Sequence, residues 1–111
     1  MRAEVSPTVL SYEELLVLSE QMLEAAEAAN WTAFEDLQRV YLAVVDRLRV
    51  LEHNVPVTAD ERMRRHELLD RILSYDARIR DLMLPHLSRL GRLLGDSRRR
   101  QDLSRAYGAV V

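Results

Sequence analysis

The sequence predicts an all-α protein, an antiparallel helical bundle of three main helices plus a short C-terminal helix. Three observations carry that prediction. Apolar residues recur at three- and four-residue spacing through most of the 111-residue chain. Three Ser/Thr-x-x-Glu boxes stand where the apolar runs begin. Glycine and proline number three each, too few turn-formers for a strand-rich fold. With 48% apolar residues the chain can bury one core, and its length suits one domain. We expect a flexible N-terminus over residues 1–10 and a single helical domain over 11–111.

Helix one is expected over about 12–29. Ser11 and Glu14 have capping-box spacing. Tyr12, Leu15, Leu16, Ser19, Met22, Leu23, Ala26 and Ala29 then share one face. Asn30 can end the helix, because asparagine tolerates the left-handed conformation. Helix two, about 32–52, opens on a second box, Thr32 with Glu35. Its seam is Phe34, Leu37, Tyr41, Val44, Leu48 and Leu51. Val40, Leu42 and Val45 flank that seam and widen the apolar face to roughly 200° at 100° per residue. One helical hairpin cannot cover so wide a face, so another helix, a second subunit or a client is needed.

Pro56 ends helix two, and Thr58 with Glu61 forms a third box. Helix three, about 59–94, carries Leu68, Leu69, Ile72, Tyr75, Ile79, Leu82, Met83, Leu87, Leu90, Leu93 and Leu94, and would span about 50 Å. Pro85 lies inside it and predicts a kink rather than a stop, because the apolar period resumes in phase at Leu87. Gly95 can close it, and Asp96 or Ser97 can cap a last helix over about 97–108. There Leu103, Ala106, Tyr107 and Val110 share a side. So short a helix must dock to persist.

Charge is divided along the chain. Residues 1–61 hold four arginines and twelve carboxylates; residues 62–111 hold twelve arginines and six carboxylates; lysine is absent. Antiparallel helices from the two halves are expected to attract each other.

The residues do not spell out an active site. Without cysteine there are no disulfides or thiolate metal ligands. His66 and Asp70 in "HELLD" lack the second histidine of a zinc helix, and a surface hydrogen bond or ion pair is the expectation. His86 reads as a packed or partly exposed side chain. Asp76, at the edge of the helix-three stripe, is expected to pair with Arg80 four residues on; a buried acid or an acceptor for a neighbouring helix is the alternative. No phosphate loop or nucleophile–base pair is legible, so no enzyme, metal or cofactor is expected. The run Arg98–Arg100 is flanked by Asp96 and Asp102, and adjacent helical residues splay over 200°, which argues against nucleic acid. Without a long uncharged apolar run or a secretory signal, the expected place is the cytoplasm, with no membrane partner.

Particular stretches carry a family resemblance. "LSEQMLEAAEAANWTAFEDL", with Trp31 just after the turn, resembles the first helical hairpin of FliT-type flagellar export chaperones. "RILSYDARIRDLMLPHLSRLGRLLG" resembles the family's long third helix, and "RRRQDLSRAYG" its C-terminal signature, with Leu103, Ala106, Tyr107 and Gly108 in place. The resemblance spans about residues 10–108.

It implies a cytosolic helical chaperone that binds the C-terminal region of the flagellar filament-cap protein. Such a chaperone keeps its client unassembled and delivers it to the type III export gate. Some members also bind the export ATPase complex or the flagellar master transcription activator. The resemblance places the client groove along Leu69, Ile72, Ile79 and Arg80 of helix three with Val40 and Val44 of helix two. It makes Leu103, Ala106 and Tyr107 a displaceable lid. Pro85 departs from the family pattern, and so do the mere three residues after Gly108, which make the lid brief. The rival expectations are a coiled-coil homodimerisation module and, behind it, a nucleic-acid-binding regulator built on the arginine-rich half.

Overall fold

A computed structural model of the chain describes residues 6–54, 56–94 and 105. The expected fourth helix, with Leu103, Ala106 and Tyr107, lies outside the described residues. Three helices make up the described fold: α1 (Pro7–Glu27), α2 (Trp31–Asn54) and α3 (Ala59–Leu94). No strand occurs among the described residues.

The caps correct three of the expected boundaries. Ser6, not Ser11, starts α1: its Oγ accepts from the Val9 amide at 3.1 Å, and Pro7 takes the first helical position, where no amide hydrogen is needed. Ser11 lies inside the helix and donates its hydroxyl to the Pro7 carbonyl at 2.8 Å. Residues 7–10, expected to be flexible, are helical.

The left-handed residue after α1 is Ala29 (φ 55°), not Asn30. The Ala29 amide bonds the Ala26 carbonyl and the Asn30 amide bonds that of Ala25, a Schellman turn. Asn30 also opens α2, in place of the expected Thr32: its Oδ1 accepts from the Ala33 amide at 3.2 Å. One residue therefore serves both helix ends, and the turn is tight enough to fold α2 back along α1.

The third start is as expected. The Glu61 amide donates to Thr58 Oγ1 (3.1 Å) and the Thr58 amide to Glu61 Oε1 (3.4 Å). Hydrogen bonds from the Ser6 hydroxyl and from Thr58 hold the Glu61 carboxyl below its usual range. Pro85 lies at an exposed position within α3, which is helical on both sides of it.

Helix α1 is the centre of the bundle. It packs against both α2 and α3, whereas the α2 and α3 backbones do not come close to each other. That is why α1 is buried on two sides, through Leu15, Leu16, Leu18, Met22 and Leu23 among others. Phe34, Tyr41, Val44 and Leu48 of α2 and Leu68, Ile72, Ile79 and Met83 of α3 close on it from either flank.

The charge asymmetry acts mostly across the α1/α3 seam, between helices that run parallel, with one pair, Glu52–Arg65, between the antiparallel α2 and α3. Glu13 pairs with Arg64 (3.4 Å), Glu20 with Arg71 (3.9 Å) and Glu27 with Arg78 (3.5 Å). Both series advance by seven residues in the same direction, so the pairs fix a parallel register with a coiled-coil repeat. All six side chains are well exposed, so each pair contributes little energy and mainly selects the alignment.

Candidate functional site

Because α2 and α3 both lean on α1 but not on each other, a groove of about 300 Å³ opens between them. Tyr12 and Leu15 of α1 form its floor; Leu42, Val45 and Leu48 form one wall and Leu69, Ile72 and Leu73 the other. The walls keep apolar surface in solvent: Leu42 is 40% exposed and Leu73 56%.

Side chains bridge the gap at three levels. Arg65 pairs with Glu52 at 2.8 Å, and Glu52 also accepts from the Tyr12 hydroxyl at 2.8 Å. Tyr41 donates its hydroxyl to Asp76 Oδ2 at 3.5 Å. Trp31 stacks on His86 with ring centroids 4.2 Å apart. The members of successive bridges are ten or eleven residues apart on each helix, in opposite directions, as antiparallel helices require. The groove lies between the Glu52–Arg65 and Tyr41–Asp76 bridges. At 1.5 Å per residue it is about 16 Å long, three turns of a docked helix.

Burial sets the protonation of the groove's polar groups. Asp76 is 5% exposed, and burial pushes its carboxyl up to about 6, although the Tyr41 bond and the Arg80 charge both pull it down. The Tyr41 hydroxyl is pushed up to about 12 by burial and by the Asp76 charge beside it. Tyr12 is likewise raised to about 12, by burial and then by its bond to Glu52. The pairing expected between Asp76 and Arg80 is thus corrected. Asp76 is a buried acid bonded across to α2, and Arg80, one turn on, acts through its charge. His86 lies below its ordinary value because of burial and the nearby Arg89, which favours a neutral ring against Trp31. His66 and Asp70 form an exposed contact at 3.7 Å.

The groove brings together only some of the residues assigned to it from sequence. Leu69 and Ile72 line it. Val44 and Ile79 are buried in the core and are not among its lining residues. Arg80 is exposed beside Asp76. Val40, 49% exposed, is two residues before Leu42 and so about 200° away on the helix, on the opposite edge of α2. Leu42 and Val45 carried a signal, the over-wide apolar face of helix two. Leu73 carried one as well, four residues after Leu69. Among the described residues no three metal-ligating side chains converge, and no helix is long and apolar enough to cross a membrane.

Comparison with known proteins places this geometry in a family. The family model described as "Flagellar protein FliT" matches residues 10–109. The chain is 35% identical over 101 residues to the flagellar protein FliT of Yersinia pestis bv. Antiqua (strain Angola), covering 87% of this chain and 81% of that relative. The FliT protein of Yersinia pseudotuberculosis serotype O:3 (strain YPIII) gives the same figures. The crystal structure of flagellar protein FliT from Bordetella bronchiseptica superposes with a TM-score of 0.69 at 40% identity, covering 79% of this chain and 99% of that one. With its sequence shared with these relatives and its fold with the Bordetella structure, the chain belongs to the FliT family of flagellar proteins.

Proposed function

We propose that this chain is a cytoplasmic flagellar export chaperone whose work is binding, not chemistry. Its client is the C-terminal region of the flagellar filament-cap protein, held unassembled and handed to the export ATPase complex and gate. The observation that carries this reading is the open α2/α3 groove, with Leu42 and Leu73 left in solvent while the same two helices are closed onto α1. An exposed apolar trough three turns long suits an amphipathic client helix laid in by its apolar face. Restraint of the master transcription activator would call on the same kind of surface.

Calorimetric titration of the full chain with the C-terminal region of the filament-cap protein from the same genome tests the proposal. The expected result is 1:1 binding with a negative heat-capacity change, the mark of apolar burial. Replacing both Leu42 and Leu73 by aspartate should weaken it by at least tenfold while the helical signal persists. No binding, or binding indifferent to those substitutions, refutes the groove. A chain that is dimeric by light scattering and monomeric once Leu42 and Leu73 are replaced would instead identify the groove as a self-association surface.

A further inference from the structure

Polar bridges stand at both ends of the apolar groove, and at the Tyr41 end a carboxyl lies almost out of solvent. Asp76 lines the groove and is 5% exposed. An ionised carboxylate has about four acceptor sites. Among the described residues its one donor is the Tyr41 hydroxyl, at 3.5 Å, the long limit of a hydrogen bond. Of the nearby cations, Arg49 pairs with Asp46 at 3.4 Å and Arg65 with Glu52 at 2.8 Å, and Arg80, one turn on, is exposed and reaches Asp76 through its charge alone. Among the described residues no cation is ion-paired with Asp76. In the free protein, water at the groove mouth can solvate the open side of this carboxylate. A helix that seals the groove removes that water and leaves a buried charge short of partners, unless it supplies a donor.

Resting on the groove as the docking site, we infer that Asp76 determines its specificity. The helix that fits presents a lysine or arginine, set within its apolar face, to the Asp76 carboxylate. The occupant is therefore an amphipathic helix with one basic residue near the end of its apolar stripe that meets the Tyr41–Asp76 bridge. A wholly apolar helix is selected against, because Asp76 would have to take up a proton to be covered. An acidic residue at that position is selected against more strongly.

The two kinds of occupant leave opposite pH signatures. The polar groups sharing the groove with Asp76 are Tyr12 from α1 and Tyr41, Arg49 and Glu52 from α2; Arg80, on its own helix, acts through its charge from outside the lining. The tyrosines are raised to about 12 and the arginines stay charged, so neither titrates between pH 5 and 7.5. Glu52 is held by Arg65 and Tyr12. Asp76, raised to about 6 by burial, changes charge inside that window. A cationic partner lowers it, so binding releases a proton and strengthens as pH rises. An apolar partner raises it, so binding strengthens as pH falls.

The test titrates the full chain with the filament-cap C-terminal region as the probe. With the unmodified protein, affinity should fall about tenfold from pH 7.5 to pH 5, since only about a tenth of a group titrating near 6 remains charged there. Asp76→Asn should bind at least tenfold more weakly at pH 7.5 and lose that pH dependence. Changing each lysine or arginine of the probe singly to methionine should yield one variant that is weakened against the unmodified chain and weakened no further against Asp76→Asn. Binding by Asp76→Asn equal to that of the unmodified protein, or affinity rising toward pH 5, overturns the inference and leaves the groove standing. Absence of binding by the unmodified protein overturns the groove itself. Should Asp76→Asn not fold, the pH titration of the unmodified protein decides alone.

Discussion

The two seams flanking α3 differ in kind. Toward α1, Leu68, Ile72, Ile79 and Met83 are buried, and three evenly spaced ion pairs hold a parallel register. Toward α2, the backbones stay apart, and contact is left to Arg65–Glu52, Tyr41–Asp76 and the Trp31–His86 stack. The first seam supplies stability. The second keeps apolar surface and a poorly partnered carboxyl within reach of solvent, a waste of burial for a protein that only had to fold. A binding protein needs both. Under the proposed function, the closed seam holds α3 in place and leaves the open one for a client.

The sharpest contrast can be measured on α3 itself. Leu68 is 0% exposed in the core, and Leu68→Ala should destabilise the protein by about 3 kcal/mol or more in urea denaturation. Leu73, five residues on, should cost no more than about 0.5 kcal/mol when changed to alanine. Equal losses would mean that the groove belongs to the sealed core.

Asp76 should make the open seam pH-sensitive. Its folded-state value of about 6 lies above that of the unfolded chain, near 4, so the folded protein holds a proton that unfolding releases. The stability from this group is complete below pH 4 and is lost as pH rises through 6, by up to about 3 kcal/mol. The difference in unfolding free energy between Asp76→Asn and the unmodified protein should therefore grow across that window in favour of Asn. A difference independent of pH would place Asp76 in water rather than in the groove wall.

Smaller effects separate stability from binding. Ala29 holds a left-handed conformation that glycine adopts without strain, so Ala29→Gly should raise stability by about 1 kcal/mol. The turn is remote from the groove, so client affinity should not move. Smallest is the ladder. Arg71→Gln should cost less than about 1 kcal/mol, with the loss shrinking at high salt. A loss that persists in molar salt would mean that packing of the arginine stem, not charge, sets the register.

The sequence made the three helices and the Thr58–Glu61 start legible because periodicity and a capping box are local signals. The start of α1 was expected at Ser11–Glu14, a competent box by spacing, but Ser6 caps it ahead of Pro7. The burial of Thr8, Val9 and Ser11 against the bundle extends the helix to that earlier cap. The charge asymmetry was visible, but a net attraction does not state a direction; the seven-residue ladder of Glu13, Glu20 and Glu27 against Arg64, Arg71 and Arg78 gains its meaning only from the fold. In the groove, Leu69 and Ile72 follow from the helix-three stripe. Asp76 does not, since a carboxylate at the edge of a stripe looks the same whether it meets Arg80 or a second helix. Val40 and Leu42 look alike as flanks of one seam, and only the position of α3 assigns Leu42 to the groove.

The most direct measurement is methyl NMR of the 111-residue chain, free and with the filament-cap C-terminal region. Leu42, Val45, Leu69 and Leu73 should shift on binding, while Leu10, Val17 and Val50, exposed but outside the groove lining, should not. Shifts gathered on Leu10 and Val17 with a silent groove would contradict the groove as the docking site.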